Sequence, residues 1–155
     1  MLISEFLIPE CIRVDMECNS KDDLLKELVE LQFNAHPEVD RNETILSLYE
    51  REELLSTGIG EGIAIPHARV SSCKSISVSF ALLKKGINFN SLDSKPVRIV
   101  LLILFPKDKV NLQLRFLARV SRVLQHRALH DELYQSKSPE EVIKVFQQYE
   151  EQHFH

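Results

Sequence analysis

One unbroken apolar run, Ile99 to Phe105, inside the segment Val97–Phe105 (VRIVLLILF), constrains the fold more than any other part of the chain. A strand with one wet face alternates apolar with polar side chains, so a run without alternation demands cover on both faces. It falls far short of the roughly 20 residues that a membrane-spanning helix requires. A central strand of a sheet, with helices packed above and below, satisfies it. A chain of 155 residues, 44% of them apolar, suffices for one such domain.

The flanking sequence supplies the other layers. Alternation in CIRVDM predicts a strand at Cys11–Met16. Ser20, with Asp23 three residues on, caps a helix whose apolar positions Leu24, Leu25, Leu28, Leu31 and Ala35 recur until Pro37 interrupts. Asp40, with Glu43, opens a second helix running through Ile45, Leu48, Tyr49 and Glu52 towards Leu55. Ile76–Leu83 (ISVSFALL) is a further strand, and the LKKGINFNS stretch after it reads as a turn with a short strand at its far side. A helix from Asn111 to about Gln125 buries Leu112, Phe116, Leu117, Val120, Val123 and Leu124. A last helix opens at Ser138, where proline takes the first helical position. This order predicts one domain over residues 1–155, an α/β sandwich with a mixed parallel and antiparallel sheet of about five strands flanked by helices on both faces.

A net charge of -4 argues against general affinity for nucleic acid or anionic membrane, since both demand a basic footprint. The N-terminus lacks a positive n-region and its short apolar run is broken by Glu5 and Pro9, so the expected location is cytoplasmic. Cys11, Cys18 and Cys73 fit neither a disulfide framework nor a zinc knuckle and read as small packing residues. His36, His126, His130, His153 and His155 have no ligand spacing, so no metal site and no cofactor is expected.

Function concentrates in STGIGEGIAIPHARV, which carries Gly58, Gly60 and Gly62 and an extended piece at Ile63–Ile65. Alternating glycines let backbone N–H groups approach a ligand, which makes Thr57, Gly58, Ile59, Gly60 and Gly62 a candidate phosphate cradle. No Gly-Lys-Ser/Thr follows and the spacing is not that of a dinucleotide fingerprint, which argues against nucleotide binding. Ser56 and Ser71 are further hydroxyls within reach of such an anion. Pro66 fixes its own φ and holds Ile65 extended, so His67 leaves the chain on a stiff support. A neutral imidazole is a nucleophile at neutral pH without a separate base, and phosphorylation gives a phosphoramidate that passes its phosphoryl group on readily. Arg51 is the candidate guanidinium to steady that product. Taken alone, Arg51 reads as a solvated helix residue paired with Glu50, Glu52 or Glu53, and the loop beside it favours function.

The run REELLSTGIGEGIAIPH closely resembles the active-site segment of enzyme IIA domains of the fructose/mannitol class in the bacterial phosphoenolpyruvate phosphotransferase system. The likeness is strongest to the stand-alone nitrogen-regulatory members and is collinear over nearly all the chain. It implies that His67 accepts a phosphoryl group from a histidine phosphocarrier protein and that Arg51 steadies the phosphohistidine. It further implies a downstream IIB domain or a regulated protein, such as a sensor kinase or a potassium transporter. The family's second histidine, at the start of the helix after the Phe/Val-Pro strand end, is replaced by Gln113. Glutamine donates from its amide but carries no charge and shuttles no proton. A regulatory binding module with impaired phosphoryl transfer is therefore an alternative, and a sugar-transport IIA subunit is another.

Between Lys107 and His130 the cations Lys107, Lys109, Arg115, Arg119, Arg122 and Arg127 accompany a single acid, Asp108. They form either an ordinary wet face or a landing strip for an acidic partner.

Overall fold

A computed structural model describes residues 1–153. Two 3-10 turns, Ile3–Phe6 and Pro9–Cys11, lead into β1 (Ile12–Met16), α1 (Lys21–Ala35) and α2 (Arg41–Leu54). The short strands β2 (Gly58–Gly60), β3 (Ile63–Ala64) and β4 (His67–Val70) follow, then the long strands β5 (Ser77–Ile87) and β6 (Val97–Pro106). The helices α3 (Val110–Leu124), α4 (Arg127–Tyr134) and α5 (Pro139–His153) complete the described chain.

The sheet is mixed and has six strands, in the order β1-β5-β6-β3-β2, with β4 also pairing β6. β6 is its centre, antiparallel to β5 and parallel to β3 and β4. Side chains alternate across a strand, so the apolar run divides between two cores. Ile99, Leu101, Ile103 and Phe105 face α3, α4 and α5, where Phe105 meets Phe116 edge to face at 6.0 Å. Val100, Leu102 and Leu104 face α1 and α2 and pack with Leu24, Leu28 and Leu48. Helices thus cover both faces, as the unbroken run requires.

The predicted caps form. Ser20 Oγ accepts from Asp23 N at 3.1 Å, Asp40 Oδ1 from Glu43 N at 3.0 Å, and Ser138 Oγ from Glu141 N at 3.2 Å. Three features differ from the sequence expectation. β5 continues through Lys84–Gly86 to Ile87 where a turn was expected, and Gly86 permits close approach, because a Cβ there would lie 2.5 Å from Pro96 Cβ. The glycine segment forms a hairpin of β2 and β3 rather than a loop, turning at Gly60, Glu61 and Gly62, all at positive φ. α4, which the periodicity did not resolve, is too short for more than Leu129 and Leu133 to mark its buried side.

No helix among the described residues is long and apolar enough to cross a membrane. Cys11 and Cys73 are buried and Cys18 is half-buried, and all three are free thiols. Burial pushes each up to about 11.

Candidate functional site

β3 and β4 lie in succession along one edge of β6, and the break between them is Ile65–Pro66. Ile65 turns its N–H away from β6 to the Thr57 carbonyl at 3.0 Å, whereas Pro66 has no N–H and offers only its carbonyl, which accepts from Ile103 N at 2.9 Å. His67 therefore begins β4 opposite Ile103. Ala68 and Val70 point into the core, while His67 and Arg69 share the outer face.

The imidazole is half-buried, and its Nδ1–H donates to the Ile65 carbonyl at 2.8 Å. A carbonyl can only accept, so the bond assigns the proton to Nδ1 and leaves the lone pair on Nε2. Burial lowers the His67 pKa below the usual imidazole value, opposed by the Ile65 carbonyl, helped by Arg51 and opposed again by Glu52.

His67 opens on a cleft of about 470 Å³ that Arg51, Arg69, Lys107 and Gln113 also line. Arg51 lies in the last turn of α2, where Nη1 donates to the Leu55 carbonyl at 2.7 Å and offsets the negative end of the helix. No carboxylate among the described residues lies within ion-pair distance of it, so the pairing with neighbouring glutamates does not form. Glu52 instead pairs with Lys21 at 2.6 Å and accepts from both the N–H and the Oγ–H of Thr57. Gln113, in the first turn of α3, has a buried Oε1 with no hydrogen-bond partner among the described residues.

The structure brings His67, Arg51 and Gln113 together, but it does not bring the glycine hairpin to them. Gly58 packs against Ser91, Gly60 sits beside Asp93, and the Gly62 carbonyl accepts from Arg98 N and Ile99 N, near the far end of β6. Ile59 is exposed on that hairpin, and Thr57 is buried and bound to Glu52. The hydroxyl of Ser56 donates to the Phe89 carbonyl and that of Ser71 to Glu43. The sequence reading missed Arg69, although its spacing of two from His67 on a strand was the available signal.

Among the described residues no three His, Cys, Asp or Glu side chains gather as a metal site. His130 Nε2 donates to the Leu124 carbonyl, His126 stacks on His153 and lies tilted against Tyr149, and His36 lies beside Glu38. His155 lies outside the described residues. Of the basic strip, Lys107 reaches the cleft, Arg115 flanks a separate shallow groove with Asp108 and Lys109, and Arg127 pairs with Glu61.

A helix-covered mixed sheet that presents a proline-supported histidine to a cationic cleft defines the class of this protein. Residues 5–149 match the family model for the phosphoenolpyruvate-dependent sugar phosphotransferase system, EIIA 2, and the chain belongs to that family. It is 33% identical to a nitrogen regulatory protein of Bradyrhizobium diazoefficiens, over 94% of each chain. It is 31% identical over 97% of its length to the fructose-specific EIIABC component of Bacillus subtilis, of which it spans only 24%. Among solved structures it is similar to the nitrogen regulatory protein IIA-Ntr from Neisseria meningitidis, with a TM-score of 0.86, 29% identity, and coverage of 93% of this chain and 98% of that one.

Proposed function

We propose that this chain, as one EIIA domain, accepts a phosphoryl group on Nε2 of His67 from a phosphohistidine of a small phosphocarrier protein and relays or signals it. The observation that carries the reading is the Nδ1–H bond to Ile65, which leaves Nε2 unprotonated in a cleft lined by Arg51, Arg69 and Lys107.

The Nε2 lone pair attacks phosphorus, the new N–P bond forms, and the donor's N–P bond breaks with its electron pair returning to the donor imidazole. Positive charge develops on the His67 ring as the bond forms. The Ile65 carbonyl accepts from Nδ1–H and stabilises that charge. The three cations offset the charge spread over the phosphoryl oxygens, which is the main contribution a protein makes to phosphoryl transfer. Their fork and point charges take the role assigned from sequence to the hairpin amides.

Similarity to nitrogen regulatory proteins supports a regulatory role, with a regulated protein or a IIB domain downstream, and similarity at the same level to fructose-specific EIIA components supports a sugar-transport subunit as the alternative. Gln113 favours a second reading, a binding module in which transfer is slow. Incubation with phosphoenolpyruvate, enzyme I and a phosphocarrier tests the proposal: wild type acquires acid-labile phosphate and His67→Ala does not. Equal labelling of the two, or none in wild type, removes it.

A further inference from the structure

We infer that a cavity near the opposite end of β6 from His67 binds a small organic oxyanion, a carboxylate or a phosphate ester, held by Arg98 together with Lys84 and Lys137. The cavity has a volume of about 590 Å³, the size of a metabolite site.

Two interruptions of the sheet create it. The register of β1 on β5 shifts between Arg13 and Met16, where Asp15 adopts φ 55, a region that non-glycine residues occupy only at a cost. The register of β5 on β6 shifts between Leu82 and Ile87. Such bulges re-aim backbone and side chains and are enriched beside binding sites. Within the second shift the Leu83 carbonyl accepts from Arg98 Nε at 3.0 Å, and the guanidinium lies 4.6 Å from the centre of the Tyr134 ring. Arg98 is therefore fixed on two sides, with its Nη fork as the part left to grip a ligand. A fork so fixed loses little freedom on binding a carboxylate or phosphate.

The charge balance of the lining agrees. Lys84, Arg98 and Lys137 face a single acid, Asp15, in a chain whose net charge is -4. Lys84 lies 3.5 Å from Glu17, but both side chains are more than half exposed and the pair is weak. α4 ends at this cavity, and one cation would suffice to offset its negative end, which Gln135 N and Ser136 N already cap in part. Three cations exceed that need.

Arg98 stands five positions along β6 from Ile103, the partner of His67, which is about 16 Å along an extended strand. The inference is thus independent of the His67 reading. Inorganic phosphate and succinate, each titrated into the 15N-labelled chain, test it. Saturable amide shifts at Lys84, Arg98 and Lys137 are expected with one or both probes, and Arg98→Gln should weaken binding by about tenfold or more. Should Arg98→Gln fail to fold, Lys84→Gln/Lys137→Gln provides the same comparison. A response to phosphate alone identifies a phosphate ester, to succinate alone a carboxylate, and to both a general oxyanion site. Absence of saturable shifts, shifts confined to the surroundings of His67, or shifts undiminished in both variants would overturn the inference.

Discussion

His67 is oriented by the backbone that carries it: its Nδ1–H donates to the carbonyl of Ile65, two residues earlier and 2.8 Å away. Pro66 makes that contact possible, because it interrupts the ladder between β3 and β4. Burial, the leading influence, lowers the His67 pKa and keeps the ring neutral near pH 7. Phosphoryl acceptance should therefore be flat from pH 7 to 8 and decline on acidification with a midpoint below about 6.5. A rate profile with a stable phosphocarrier checks it, and a midpoint at or above 6.5 would contradict the lowered value.

The same shift links stability to pH. In the interval between the lowered folded pKa and about 6.5 the unfolded chain binds more protons at this position than the native one. His67 therefore disfavours the native state progressively as pH falls below about 6.5, and contributes no pH dependence above it. Urea unfolding at pH 7.5 and pH 5 should reveal a larger loss for wild type than for His67→Gln. Equal losses would show that another group dominates.

Arg51 serves both the cleft and the end of α2. Lysine retains the charge but not the planar fork. Arg51→Lys is expected to slow phosphoryl acceptance by about tenfold while shifting stability by less than about 1 kcal/mol. Quench-flow labelling and urea melts separate the two effects, and unimpaired labelling would assign Arg51 to capping alone.

Glu52 ties three parts of the chain together, since it pairs with Lys21 of α1 and receives both donors of Thr57 at the threshold of β2. Its side chain is only 6% exposed and that of Lys21 21%, so removal strands a half-buried ammonium and two donors. Glu52→Ala should destabilise the protein by about 3 kcal/mol or more. Because Thr57 O holds the N–H of Ile65, the loss should also broaden the His67 ring signals in an NMR spectrum. A neutral effect on both would detach this ion pair from the site.

The sequence made some of this legible for clear reasons. Ile99–Phe105 has no alternation, so cover on both faces followed directly, and Ser20, Asp40 and Ser138 act locally through cap bonds. Arg51, His67 and Gln113 were named from a motif and converge on one cleft. What failed depends on distant partners. Whether Gly58, Gly60 and Gly62 face His67 or the Ser91–Pro96 segment is decided by pairing with β6, which spacing does not encode. Lys84–Gly86 looked like a turn because two lysines and a glycine carry low strand propensity, yet pairing and the contact of Gly86 with Pro96 hold them extended.

Gln113 is the position where residue and expected chemistry disagree most. Its Oε1 is buried in a cleft where Arg51, Arg69 and Lys107 outnumber one acid, Glu50, and an acceptor there repels phosphoryl oxygens unless the amide turns its NH2 inward. Histidine at this position would add a donor from the first turn of α3 without reaching the stem length of lysine or arginine. When protonated, it also adds a charge beside the developing oxyanion. Gln113→His is therefore expected to accelerate phosphoryl acceptance by about tenfold, with the gain greatest below pH 7 where the new imidazole is charged. At pH 8, where the new imidazole is neutral, the same variant should leave association with the phosphocarrier within about twofold, since one neutral residue is exchanged for another within an existing surface. A rate that is unchanged or slower across the pH range would mean that Gln113 is already the competent partner, and that slow transfer, if observed, originates elsewhere in the cleft.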